Sequence, residues 1–246
     1  MTRKPAAEMT RDELAAYIDY SILKPEFTPT DIKREVIKAV DYGCKTVCIN
    51  PSAIEIAKPL CEGSGTGLCV VADFPFGASS TASKVAQVAD ILGHGISELD
   101  IVANYGRLRG GELGLVESDL RVVADTCHEQ GVAVKAILET DALTMAQVKS
   151  GADAAIAAGC DFIKTSTGFY TGEMQHDEAG AFEAMIDWMI QCAAGRCKVK
   201  GSAAIRDRDH FLRLIDAGID RMGIGHRSVP VVLGDAASTA PSGTGY

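Results

Sequence analysis

Short apolar runs rich in β-branched residues alternate along this chain with longer stretches whose apolar positions recur near every 3.6 residues. The short runs predict eight strands, at 18–23, 46–50, 68–74, 98–103, 133–139, 161–165, 198–202 and 221–225. A short helix is expected at 11–17, ahead of the first strand. The longer stretches predict further helices, among them 81–92, 115–130, 143–158, 178–194 and 208–217. Strands separated by helices of this length imply parallel neighbours. Eight such units imply an α/β fold closed into a single (β/α)8 TIM barrel rather than an open sheet. The alternative, a Rossmann-like sheet, needs GxGxxG between a strand and a helix. The run Gly63, Ser64, Gly65, Thr66, Gly67 precedes a strand instead, and GIGHRS at 223–228 holds only half of the motif.

A length of 246 residues suits one barrel, and 47% hydrophobic residues suffice for its core. One domain is expected over 1–234, followed by a flexible Ala/Ser/Thr/Gly-rich tail at 235–246. The net charge of −9, with no Lys/Arg run, argues against nucleic acid or an anionic membrane as partner. A small anionic substrate stays open, because a few local cations or helix N-termini suffice to hold one.

The eight cysteines form no CxxC and sit mostly in apolar stretches, so they read as small buried hydrophobes rather than metal ligands. His94, His128, His176 and His210 show no HxH or HExxH spacing. No metal and no cofactor is therefore expected. Residues 1–9 are polar and no apolar run reaches about 18 residues, so neither a secretory signal nor a membrane span is expected. Together with reduced thiols this points to the cytoplasm.

Charge changes the picture where a barrel should be apolar. Asp100 in LDIV, Lys135 in VKAI, Lys164 in FIKT and Lys200 in VKG all fall within predicted strands. An ionised group is costly to bury without a partner, and charges in barrel strands or at their C-terminal ends are candidates for catalysis. A structural ion-pair network is the alternative. Such a network rarely collects an excess of cations, whereas chemistry can use one. A nearby ammonium depresses the pKa of a neighbouring amine and leaves it partly neutral and nucleophilic. Asp73 and Glu139, at strand ends, read as supporting partners or helix caps. Thr165 and Ser166 follow Lys164, but no Ser/His/Asp elbow surrounds them.

At these residues the chain resembles the deoxyribose-phosphate aldolase family. The likeness runs from about residue 18 to 225. It is carried by IDYSILKPEFT (18–28), VCINPSAI (47–54), VVADFPFGASSTASKVAQ (70–87), ELDIVANYGRLRGG (98–111), VKAILET (134–140) and DFIKTSTGFY (161–170). The resemblance implies that Lys164, in FIKTSTG, is the Schiff-base nucleophile. It implies that Asp100, in ELDIV, is the acid/base group, acting through a water. Lys200, in KGSAA, would be the second lysine, holding the Lys164 amine neutral. The implied reaction is a metal-free retro-aldol cleavage of 2-deoxy-D-ribose 5-phosphate to glyceraldehyde 3-phosphate and acetaldehyde.

The chain departs from the family where backbone amides usually cradle the phosphate. A Gly-Gly pair is replaced by Ala203 and Ala204, after Ser202, and a Ser-Ser pair by Gly225, His226 and Arg227. A side chain at a glycine position can block close approach of an anion, while Arg206, His226 and Arg227 can add charge. These seven residues are the expected substrate-binding set. The expected partner is a small sugar phosphate or aldehyde, with a homo-oligomer left open. Two other functions stay open: the same mechanism on a non-phosphorylated or carboxylate-bearing aldehyde, and a sugar-binding barrel without catalysis. Members of the resembled family often end in a mobile tail carrying a Tyr. A Gly/Ser-rich segment of about ten residues reaches roughly 16–19 Å, so Tyr246 is a candidate proton relay, the alternative being a terminus of no consequence.

Overall fold

Eight parallel strands pair in chain order, and the last closes on the first. They are β1 (Ile18–Ile22), β2 (Thr46–Ile49), β3 (Gly67–Ala72), β4 (Glu98–Val102), β5 (Ala133–Ile137), β6 (Phe162–Lys164), β7 (Lys198–Ser202) and β8 (Arg221–Gly225). Closure runs through Ile18 opposite Met222 and Ser21 opposite Gly225. This computed structural model describes residues 4–236. Tyr246 and the rest of the tail from 237 lie outside the described residues.

Helices cover the outside of the barrel, and local chemistry sets their starts. Thr28 and Thr144 close capping boxes with Asp31 and Gln147, opening helices Pro29–Asp41 and Met145–Ala157. Ser80 caps Thr81–Leu92 and Asp207 caps Arg208–Ala217, which ends on left-handed Gly218. The main apolar core lies between these helices and the strands. It includes Ile18, Val47, Val70, Leu99, Ile101, Val134, Ile163 and Val199, each at most 2% exposed.

Some expected boundaries shift, for identifiable reasons. The third strand ends at Ala72 because Asp73 turns to φ 48°, and the fifth ends at Ile137 ahead of Glu139 at φ 60°. The helix expected from 178 begins at Glu183. Gly180, at φ 67°, instead donates its N–H to Asp141 Oδ1 at 2.8 Å, and Ala181 donates to the carbonyl of Ala203.

Candidate active site

Strand register decides which side chains meet inside the barrel, because register partners point to the same face. Asp100 pairs with Lys135, Lys164 with Lys200, and Lys200 with Arg221. Their side chains converge on one carboxylate. Asp100 Oδ2 accepts from Lys164 Nζ at 2.8 Å and from Lys200 Nζ at 2.7 Å, while Oδ1 accepts from Lys135 Nζ at 2.9 Å. All four residues are at most 1% exposed.

The cluster is larger than the one legible in the sequence. Asp19 on β1 forms an ion pair with Lys200 Nζ at 2.5 Å through Oδ2 and accepts from Arg221 Nη1 at 2.7 Å through Oδ1. Glu98 on β4 forms an ion pair with Lys135 Nζ at 2.6 Å and accepts from Arg221 Nη1 at 3.1 Å. The three carboxylates Asp19, Glu98 and Asp100 therefore nearly balance Lys135, Lys164, Lys200 and Arg221. The excess of cations is smaller than the sequence suggested. Asp19, Glu98 and Arg221 were missed: Asp19 lies within β1 as Asp100 lies within β4, but Glu98 and Arg221 are the first residues of β4 and β8.

The electrostatics follow from burial and proximity. Burial opposes ionisation of Asp100, but Lys135, Lys164 and Lys200 outweigh it and hold its carboxyl well below the usual range. Burial likewise works against the charge on Lys200, yet Asp100 and Asp19 overcome it and raise its pKa above the ordinary lysine value. Lys200 is thus a fixed positive charge that shares an oxygen with Lys164.

The residues after Lys164 tie its loop down. Thr165 Oγ1 donates to the Ser202 carbonyl at 3.0 Å and accepts from its N–H. Thr167 donates its N–H and hydroxyl to the two oxygens of Glu139, at 3.1 and 2.5 Å. Glu139 is therefore a clamp for this loop rather than a helix cap, and burial first of all pushes its carboxyl up to about 7. Asp73 instead accepts from Ser79 through both its N–H and its hydroxyl.

Above the cluster, at the C-terminal ends of the strands, the barrel opens into two cavities of about 470 Å³ each that share Lys24, Pro25 and Phe169. One of them reaches Ala203, Ala204 and Arg206. A smaller cleft of about 30 Å³ joins Ala203, Ala204 and Arg206 to Gly225, Arg227 and Ser228. Five of the expected binding residues are thus brought together, and Lys24 is an added cation at the same mouth. Ser202 and His226 are committed elsewhere. Ser202 Oγ donates to the Ser166 carbonyl at 2.5 Å, and the His226 ring packs edge-on against Phe27 at 5.1 Å. Ala203 and Ala204 sit at φ 67° and 61°, the left-handed region that favours glycine.

Cys48, Cys69 and Asp100 approach within 4.8 Å of one another, as do Asp19, Cys69 and Glu98. A metal ion at either set would compete with the ammonium and guanidinium groups already bound to those carboxylates.

A closed parallel barrel with three buried lysines gathered on one carboxylate defines a class: TIM-barrel proteins with a charged cluster inside the barrel. Known proteins narrow this. No family model matches the chain. The deoxyribose-phosphate aldolase of Desulfitobacterium hafniense is 39% identical over 210 residues, 85% of this chain and 93% of its own. That of Rhodospirillum rubrum is 38% identical over 234 residues, 95% and 94% of the two chains. The tetrameric deoxyribose phosphate aldolase of Aeropyrum pernix superposes with a TM-score of 0.81 at 27% identity, over 92% and 91% of the two chains. The chain belongs to the deoxyribose-phosphate aldolase family, and its activity is an aldolase activity. Among the described residues no helix is long and apolar enough to cross a membrane.

Proposed function

We propose that the chain cleaves 2-deoxy-D-ribose 5-phosphate with Lys164 as nucleophile, Asp100 as proton acceptor and Lys200 as the charge that keeps Lys164 reactive. The observation that carries this is the shared oxygen: Lys164 and Lys200 both reach Oδ2 of Asp100, buried beneath the barrel mouth. A neighbouring positive charge favours the neutral form of an amine, which is the form that attacks a carbonyl.

The Lys164 amine adds to the C1 aldehyde of the open-chain sugar, a proton is taken up from solvent and water leaves, giving an iminium. An iminium nitrogen carries one hydrogen, so Asp100 Oδ2 loses donors and can take the C3 hydroxyl proton through a water. The C2–C3 electrons then flow into the iminium, forming an enamine and releasing glyceraldehyde 3-phosphate. Protonation of the enamine carbon and hydrolysis release acetaldehyde and restore the amine. Tyr246 is proposed as the proton source for that carbon.

The phosphate would lie against Ala203, Ala204, Arg206, Gly225 and Arg227, with Ser202 and His226 shaping the loops behind them. One observation favours a second reading: alanine methyls at two left-handed positions border a cleft of only about 30 Å³. That arrangement suits an aldehyde without a phosphate. Acetaldehyde release from deoxyribose and from its 5-phosphate separates the two readings. The first predicts a strong preference for the phosphate and a rise in KM larger than the fall in kcat for Arg227→Ala. Equal turnover of both sugars sinks it.

We also propose one catalytic domain over 1–234, a homo-oligomer as in the tetrameric Aeropyrum pernix relative, and a cytoplasmic location, which the eight free thiols suit.

A further inference from the structure

Cys48 and Cys69 have no role in the chemistry above, yet they lie against its central carboxylate. They are register partners on the adjacent parallel strands β2 and β3. Both side chains therefore point into the barrel. Cys69 Sγ lies 3.2 Å from Asp100 Oδ1, and Cys48 Sγ lies 3.9 Å from Asp100 Oδ2. Lys135 Nζ is 3.3 Å from Cys69 Sγ, and both thiols are fully buried. Neighbouring strands run about 4.7–4.9 Å apart, within the roughly 4.4–6.8 Å between Cα atoms that a disulfide spans. Among the described residues no other two cysteines are strand register partners.

We propose that Cys48 and Cys69 are a reversible dithiol–disulfide pair whose oxidation by a hydroperoxide switches the aldolase site off by withdrawing both thiol contacts from Asp100. This rests on the reading of Asp100 as proton acceptor. The Cys48 sulfur attacks the peroxide, giving a sulfenic acid and releasing the reduced alcohol or water. The Cys69 thiol then displaces water from that sulfenic acid and the S–S bond forms. Both sulfurs are oxidised, the peroxide O–O bond is reduced, and the two thiol protons leave in the products.

The surroundings divide these roles between the two sulfurs. The contact with Cys69 lowers the Cys48 thiol below its ordinary range; burial and Asp100 oppose this, and Lys200 and Lys164 assist. Burial, and then Cys48, push the Cys69 thiol up. Cys48 gives up its proton the more readily and is the attacking sulfur, and Cys69 resolves the intermediate. The thiols lie one side-chain layer below the barrel mouth, and a peroxide reaches them when that layer parts. Leu23, Phe74 and Phe169 pack against the thiols, and the same three side chains line a cavity of about 470 Å³ at the barrel mouth.

The test treats the full chain with hydrogen peroxide, blocks remaining thiols, and maps non-reduced peptides by mass. Expected is one cross-link joining the Cys48 and Cys69 peptides. Aldolase activity should fall about tenfold or more in step with it, as loss of donors to a buried charged group implies, and return with dithiothreitol. In Cys69→Ser, oxidation should stop at a dimedone-reactive Cys48 with no cross-link. Inactivation without this cross-link overturns the proposal, as does the cross-link with undiminished activity. Should Cys69→Ser not fold, the wild-type peptide map alone decides. The cross-link is read by mass, so its absence refutes the switch whatever Asp100 does, whereas normal turnover by Asp100→Asn refutes the reading beneath it.

Discussion

Inside the barrel, Asp100 is held by three lysine side chains from three strands, with every group buried. At the rim, Ala203 and Ala204 hold left-handed conformations on a loop beside the exposed Arg227. The difference follows from where each region sits. Inward side chains on strands are fixed by register, and a charge placed there is tolerated only with partners. Removing one member leaves the others unpaired, so the interior admits little variation. Loops at the strand ends answer to fewer neighbours, so the group they receive can change while the chemistry beneath stays the same. Reaction type is therefore written in the strands and substrate choice in the loops.

The comparison can be broken first at Asp100. Asp100→Asn keeps the shape but removes the base, and general-base contributions are about 10²–10⁴-fold. Cleavage should fall by that order in steady-state assays while iminium formation persists. Near-normal turnover would place the proton acceptor elsewhere. Lys200→Leu should cost less. Without its positive charge, the amine of Lys164 is more readily protonated, so activity should drop about tenfold or more at neutral pH and partly recover as pH rises. A pH–rate profile of unchanged shape would contradict the role given to Lys200.

The rim should respond in the opposite sense. An L-residue in the left-handed region costs about 1–2 kcal/mol, part of which glycine gives back as chain entropy. Ala203→Gly with Ala204→Gly should therefore stabilise the protein by about 1 kcal/mol in denaturant titration. It should also lower KM for the phosphorylated sugar, because the amides can approach the anion more closely. A loss of stability would show that the two methyl groups are packed rather than strained. One of them has a close neighbour: a Cβ placed on Gly180 would come within 2.7 Å of the Ala203 methyl.

Much of this was readable in the residues. The spans 198–202 and 221–225 match β7 and β8, and Asp100, Lys164 and Lys200 stood out as charges in apolar strands. Asp19 obeys the same rule, whereas Glu98 and Arg221 stand at the first positions of their strands, where a charge is ordinary. What the sequence does not reveal is which of a strand's charges face inward, since that depends on register with strands far away in the chain. The pairing of Cys48 with Cys69 escaped for the same reason. Strand ends at Ala72 and Ile137 depended on left-handed turns at Asp73 and Glu139, residues without glycine's signature. The phosphate-side residues were legible only as departures from the family pattern. The structure adds that Ser202 and His226 are engaged with Ser166 and Phe27.

The central claim is that Lys164 carries the covalent intermediate. Acetaldehyde with borohydride should reduce the Schiff base to a stable ethyl adduct, and peptide mapping should place that adduct on Lys164 and abolish further activity in proportion to labelling. An adduct on Lys135 or Lys200, or none at all, would contradict the account.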